Sequence, residues 1–238
     1  MFRRSRRALA GLLTLAVPLV TFSACKSDVQ HAAFEVDGLL VDKAELIYYM
    51  RDYSALVASE LETSYGVDSS EEGFWGNTYG ELVPIEYLKD YTVDWIARVK
   101  IEQLFAQEKG IETPLYWDEQ HAEMERENEE RRAAASAGEI VYGALERNFV
   151  AYFSNMYNAM RVEMVETLLD EGAFAFTDEE FRQYYADHYA NGPATYEESL
   201  EAIRLSLAQE HYDAMVDARL ENAEIRYLDM EVSPEEVE

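Results

Sequence analysis

The sequence predicts a mainly α-helical fold in which a small β-sheet joins the two ends of the folded chain. Three patterns predict it: long segments repeat apolar residues with the period of an α-helix, a hairpin signal precedes the first helix, and a short alternating segment follows the last. Apolar residues make up 48% of the 238-residue chain, which includes 17 tyrosines and 10 phenylalanines. A packed core is therefore expected despite the high charge.

The first residues have the features of an export signal. Four arginines within residues 3–7 precede an uncharged, mostly apolar run at residues 8–22, and two small residues then lead to Cys25, the single cysteine. A basic start, a short apolar run and small residues before the cleavage point make up a secretory signal, and this run is too short to span a bilayer comfortably. We therefore predict a signal peptide at residues 1–24.

The cysteine after the signal indicates a lipid anchor. Small residues followed by a cysteine resemble the lipobox of bacterial lipoproteins, which implies that Cys25 is diacylated, although Phe22 stands where leucine is usual. A plain signal peptide with a free cysteine is the alternative, but an exposed thiol is a liability outside the cell. The sequence thus predicts an extracytoplasmic protein anchored to a bacterial membrane through Cys25, with residues 25–33 as a tether.

The charge of the chain argues against nucleic acid as a partner. The whole chain carries −28, and residues 26–238 contain 16 basic and 48 acidic residues, which gives −32. Proteins bind a phosphate backbone through clustered lysine and arginine, and a surface this acidic repels it. Anionic lipid is repelled in the same way, so membrane attachment is expected to depend on the acyl chains.

Residues 34–232 are predicted to form one helical domain. Its first element is a hairpin, since Asp37-Gly38 suits a tight two-residue turn. Asp42 can then cap a helix, and Glu45, three residues later, would complete a capping box.

Glycine and proline residues predict where the next two helices begin and end. The first helix is expected to end near Tyr65, and residues 66–83 are expected to form a loop. Pro84 suits the first turn of a second helix, which runs to Lys109 and is ended by Gly110.

Two more helices are predicted in the middle of the chain. Residues 118–135 are so rich in glutamate and arginine that their helix is expected to project into solvent. Residues 139–171 carry one apolar stripe, and a single helix over this range would be about 50 Å long. Such a length indicates an elongated molecule.

The last part of the chain returns to the hairpin. Thr177 and Glu180 form a capping box for a short helix. After a break at residues 191–193 comes a final helix, and the alternating pattern at residues 223–232 predicts a strand beside the hairpin. Residues 233–238 are predicted to be an acidic tail.

The order of these elements is similar to that of a known family. Four segments carry the similarity: Val36-Asp37-Gly38, Asp42-Lys43-Ala44-Glu45, Glu108-Lys109-Gly110-Ile111, and Thr177-Asp178-Glu179-Glu180-Phe181 followed by Tyr184-Tyr185. Together they resemble the N-terminal chaperone module of SurA-like and PrsA-like foldases, and residues 196–232 resemble the helix and strand that complete it. The resemblance implies a chaperone-like module whose partners are unfolded or newly exported polypeptides.

The chain also departs from that family. In those foldases a parvulin-type prolyl isomerase lies where this chain has residues 188–195, which are too few to form a domain. The resemblance therefore implies a non-catalytic module and supplies no catalytic residues. Two alternatives remain open: a prolyl isomerase of the same family, and a structural or assembly lipoprotein that docks one dedicated partner.

Two groups of residues are candidates for peptide binding. One is an apolar stripe with flexible thioethers, and the other is a set of aromatic rings in the loop at residues 66–83. They are Tyr152, Phe153, Met156, Met160 and Met164, and Phe74, Trp75 and Tyr79. Packing in the core is the alternative for both groups.

The sequence predicts neither a metal site nor a cofactor. His121 and Glu125 are four residues apart and would share a helix face, but two ligands within a solvated charge run do not make a metal site. Phosphate-binding glycine loops and dinucleotide fingerprints are missing from the sequence.

Overall fold

The computed structural model describes residues 31–237, so the predicted signal peptide and Cys25 lie outside the described residues. Within this range the chain is mainly helical and contains one small antiparallel sheet, which confirms the predicted fold class. Buried residues extend from Ala32 to Val237, beyond the predicted domain limits of 34 and 232.

The sheet joins the two ends of the folded chain, as predicted. It consists of β1 (Ala32–Val36), β2 (Leu39–Asp42) and β3 (Ile225–Tyr227), in the order β2-β1-β3. The turn between β1 and β2 has positive φ at both Asp37 (46°) and Gly38 (85°), as a type I′ hairpin turn requires.

Seven helices account for most of the described chain, and a 3-10 turn at Phe74–Gly76 lies in the loop after the first. The helices are α1 (Lys43–Tyr65), α2 (Pro84–Glu108), α3 (Trp117–Ser136), α4 (Phe149–Asp170), α5 (Asp178–His188), α6 (Tyr196–Leu220) and α7 (Pro234–Val237). None of them is long and apolar enough to span a membrane.

The second helix is the centre of the molecule. α1, α4 and α6 each pack against α2. Five consecutive residues of α2, Val99 to Gln103, are buried, so this part of the helix contacts protein on every side. α7 packs on α1 and buries Val237, so part of the predicted acidic tail belongs to the packed body.

The prediction that Glu45 completes a capping box is wrong. Asp42 does cap α1, accepting a hydrogen bond from the Ala44 amide at 2.7 Å. Glu45 instead points into the core, where it forms an ion pair of 2.9 Å with Lys100 of α2. An acid three residues after a cap predicts a capping box only when no stronger partner is within reach.

The single helix predicted over residues 139–171 is also wrong. α4 starts only at Phe149, because the Asn148 side chain caps it by accepting from the Ala151 amide at 3.0 Å. Before it, Arg131 of α3 donates to the carbonyl oxygens of Tyr142 and Ala144, which holds the preceding segment in an irregular conformation. The 22 residues of α4 span about 33 Å, so helix length no longer supports an elongated shape.

The expectation that α3 projects into solvent is only partly right. Gln120, Met124 and Asn128 form a buried face. The Asn128 side chain both donates to the Arg147 carbonyl (3.0 Å) and accepts from the Arg147 amide (2.8 Å). One side of α3 is therefore fixed to the segment before α4, and the other side carries the predicted charges.

Capping boxes begin both α5 and α6. The predicted box of Thr177 and Glu180 is present, and Thr195 with Glu198 forms a second one that the sequence analysis missed. Hydrogen bonds from the backbone and hydroxyl of Thr195 lower the pKa of the Glu198 carboxyl, and those of Thr177 do the same for Glu180. A lowered pKa means that folding favours the charged carboxylate.

Removing the second cap is expected to weaken the fold in a pH-dependent way. Thr195→Ala should cost about 1 kcal/mol of unfolding free energy at pH 7, measured by urea denaturation. Because the folded pKa of Glu198 is lowered, its contribution is present above the usual glutamate range and is lost as the pH falls through the folded pKa. The difference between variant and parent should shrink on acidification, whereas Thr78→Ala, in an exposed loop, should match the parent throughout.

Candidate aromatic cleft

The loop aromatics singled out from the sequence anchor the loop on the body. Phe74 and Trp75 are buried in the 3-10 turn, with ring centroids 5.0 Å apart, and the turn packs on α2. Tyr79 is half-buried and its hydroxyl donates to the Glu71 carboxylate at 2.8 Å.

Most of the apolar stripe on α4 is core. Tyr152, Met160 and Met164 are buried. Met156 is half-buried, and the Thr113 hydroxyl donates to its sulfur at 3.5 Å. Among the predicted candidates, Phe153 lines an open cavity.

That cavity is a cleft of about 250 Å³ between α1, α2 and α4. Aromatic side chains from all three helices line it: Tyr48, Tyr49 and Tyr53 from α1, Trp95 from α2, and Phe149, Phe153 and Tyr157 from α4. Tyr49 and Tyr53 are four residues apart, as are Phe153 and Tyr157, so each of these pairs projects from one face of its helix. We call this cavity the aromatic cleft.

Five of these rings form a closed circuit: Tyr49, Tyr53, Trp95, Tyr157 and Phe153. Each ring contacts the next, and the last contacts the first, in edge-to-face or stacked arrangements. The centroid distances are 6.4 Å for Tyr49–Tyr53, 5.9 Å for Tyr53–Trp95, 5.9 Å for Trp95–Tyr157, 5.5 Å for Tyr157–Phe153 and 5.8 Å for Phe153–Tyr49. Aromatic surface thus surrounds the cleft on all three helices.

The mouth of the cleft is more polar than its walls. Val150, Ser154 and Asn158 of α4 are exposed there, and Asp52 of α1 is the charged residue among those that line it. Burial raises the pKa of Tyr53, and the nearby Tyr91 and Asp52 raise it further, so its hydroxyl stays neutral at physiological pH.

Two ion-pair groups fix the helices around the cleft. Glu45 and Lys100 join α1 to α2 in the core. In the second group, the buried carboxylate of Glu102 contacts Arg98 at 3.3 Å and Arg161 at 3.1 Å. It also accepts a hydrogen bond from the Tyr212 hydroxyl at 3.0 Å, so this group connects α2, α4 and α6. Burial raises the pKa of Glu102, while Arg161 lowers it.

The histidines do not form a metal site. His121 stacks on Phe149, with centroids 4.3 Å apart, and its Nδ1 lies 2.9 Å from the Trp117 carbonyl oxygen. Within residues 31–237 no group of three or more histidine, cysteine or acidic residues is placed to hold a metal ion.

Sequence reasoning missed four of the five residues of the circuit as site residues: Tyr49, Tyr53, Trp95 and Tyr157. Their helical spacing was visible, but an i, i+4 pair of aromatic residues looks the same whether it fills a core or lines a cleft. Their meeting with Phe153 depends on how three helices pack.

Comparisons with protein-family models, curated proteins and solved structures found no match. The likeness to SurA-like and PrsA-like foldases therefore stays a prediction from the order of elements.

Proposed function

We propose that this protein is a membrane-anchored extracytoplasmic lipoprotein that binds unfolded or newly exported polypeptides and limits their aggregation. The observation that carries the proposal is the aromatic cleft, in which seven aromatic side chains from three helices line an open cavity. The mechanism is reversible holding of exposed side chains, with no bond made or broken.

The size and chemistry of the cleft suit side chains of an unfolded chain. A volume of about 250 Å³ accommodates one or two large side chains but not a folded domain. Aromatic walls contribute contact area at low entropic cost, since each ring has few rotatable bonds. The negative surface, with −32 over residues 26–238, would keep complexes soluble and favour basic clients.

The cleft can be blocked at its mouth without disturbing the core. Val150 lines the cleft and is 47% exposed, whereas Val162, on the same helix, is 55% exposed and lies outside it. Val150→Lys should therefore obstruct the cleft, and Val162→Lys adds the same charge elsewhere.

Light scattering of an aggregating basic client tests the function. Residues 26–238, which include every described element, should suppress scattering at several-fold excess, and Val150→Lys should lose most of that suppression. Val162→Lys should behave as the parent. No suppression by the parent chain would refute the proposal. Equal suppression by both variants would show that the aromatic cleft is not where clients bind.

The anchor is tested separately. Cys25→Ala in the full-length chain should move the protein from the membrane fraction to the soluble fraction, with an unchanged circular dichroism spectrum. The physical reason is that acyl chains would supply the membrane affinity, since the acidic body is repelled by anionic lipid. An unchanged membrane fraction would contradict the lipid anchor.

One surface feature favours the assembly alternative as a second candidate. Ile140 and Tyr142 are 79% and 82% exposed, on a segment that Arg131 holds in place. A fixed loop with exposed apolar side chains is typical of a docking point for one partner. Pull-down from solubilised membranes should yield one stoichiometric partner, lost in Tyr142→Ser, if this candidate is right; many substoichiometric partners favour the chaperone proposal.

For the prolyl isomerase alternative, the connection between α5 and α6 consists of residues 189–195, the place where the foldases that the chain resembles carry their isomerase domain.

A further inference from the structure

The aromatic cleft has features that select the chemistry of its ligand. Aromatic rings carry negative charge on their faces, and cations within about 6 Å of a ring centroid are attracted to them. Neighbouring ring centroids of the circuit are 5.5–6.4 Å apart, which is close to the range of a cation–π contact, so a cation in the cleft can lie within reach of more than one ring.

The charges around the cleft also favour a cationic ligand. Asp52 is placed at the mouth, and no lysine or arginine is among the residues that line the cleft. Arg161 lies 5.8 Å from the Tyr157 ring, but its charge is already balanced by Glu102 at 3.1 Å and Asp213 at 2.5 Å. The open side of the circuit therefore has aromatic rings and a carboxylate, and no lysine or arginine among its lining residues.

Three polar atoms of the circuit have no hydrogen-bond partner among the described residues. They are the Tyr49 and Tyr157 hydroxyls and the Trp95 indole nitrogen, and all three are sealed from solvent. Such atoms cost free energy when they stay unpaired. A hydroxyl can accept from an ammonium or guanidinium N–H, and an indole N–H can donate to a peptide carbonyl.

We propose that the aromatic cleft binds the cationic side chain of an arginine or lysine in a client segment; this specificity rests on the function proposed above. The cation lies among the five rings with Asp52 at its outer end. The Tyr49 hydroxyl accepts one of its N–H groups, and Trp95 donates to a carbonyl of the same segment. Seating the ligand requires the rings over these two atoms to part slightly.

This chemistry separates a peptide from a lipid headgroup. A quaternary ammonium group would also attract the rings, but it has no N–H for Tyr49 and brings no peptide carbonyl for Trp95. Arginine is favoured further, because its planar guanidinium stacks on aromatic faces.

Fluorescence anisotropy with matched peptides tests the proposal on residues 26–238. The probes are a labelled extended peptide with one central arginine and the same peptide with citrulline, which keeps the shape and loses the charge. The arginine peptide should bind about tenfold more tightly. Unlabelled phosphocholine should not displace it.

Charge variants locate the effect. Asp52→Asn should weaken the arginine peptide by about threefold and leave the citrulline peptide unchanged. Glu166→Gln, an exposed acid on α4 that does not line the cleft, removes the same charge and should change neither.

The outcomes are distinct. Equal affinity for both peptides would overturn the cation specificity while leaving polypeptide binding intact, and displacement by phosphocholine would assign the cleft to a headgroup instead. If neither peptide binds, the cleft does not take client segments and the proposed function itself is contradicted.

Discussion

Lys100→Met is expected to destabilise the fold by about 3–5 kcal/mol, the largest effect of any substitution considered. The side chains of Lys100 and Glu45 are 0% and 2% exposed, and the ammonium group also donates to the Leu115 carbonyl at 2.7 Å. Without the lysine, Glu45 would remain as an uncompensated charge in the core. Urea denaturation followed by circular dichroism measures the loss.

The pH dependence of this variant has a defined sign. Burial raises the pKa of Glu45, and Lys100 is the main group that lowers it. The pKa of Glu45 is raised in the parent, and the loss of Lys100 raises it further, so the deficit of the variant is present above the folded pKa of the parent and is lost as the pH falls through that pKa.

Two controls isolate the buried pair. Lys43→Met breaks the exposed ion pair with Asp229 and should cost no more than about 1 kcal/mol. Glu45→Leu combined with Lys100→Met removes both charges and should recover a large part of the loss. If Lys100→Met is no worse than Lys43→Met, the pair does not hold α1 on α2.

Met164→Ala is expected to cost about 2–5 kcal/mol of unfolding free energy, because it opens a cavity in the core. Met164 is 0% exposed and lies in the same buried cluster as Tyr152 and Leu168. At temperatures well below the unfolding midpoint, client binding per folded molecule should equal that of the parent.

The half-buried Met156 is the matched control for this stripe. Met156→Ala should lower the unfolding free energy by less than Met164→Ala does, since it removes less buried surface. A loss of client binding in Met164→Ala without a loss of stability would contradict the core assignment and restore the methionine stripe as a binding surface.

Local signals in this chain predicted local structure well. The Asp37-Gly38 turn, Pro84 at the start of α2 and the Thr177 capping box depend on residues within a few positions, and the structure has each of them. The sheet between the chain ends was predicted because its third strand had an alternating pattern.

The predictions that were wrong concern residues whose contacts are made with parts of the chain far away in sequence. Glu45 does not complete the expected capping box, because it forms a buried ion pair with Lys100 of another helix. Residues 139–148 are not helical as expected, because Arg131 of α3 donates hydrogen bonds to carbonyl oxygens of this segment. The aromatic cleft belongs to the same class, since Trp95 meets Phe153 and Tyr157 only through the packing of three helices.

Site-specific photocrosslinking tests the central claim most directly. The probe is a photoreactive benzoylphenylalanine carried by a permanently unfolded basic client, so the cleft keeps its native side chains. Its crosslinks on the parent chain should map to residues that line the mouth of the cleft, such as Ser154 and Asn158, and Val150→Lys should remove these crosslinks while Val162→Lys leaves them in place. Crosslinks that map only outside the cleft, or that persist in Val150→Lys, would contradict polypeptide binding in the aromatic cleft.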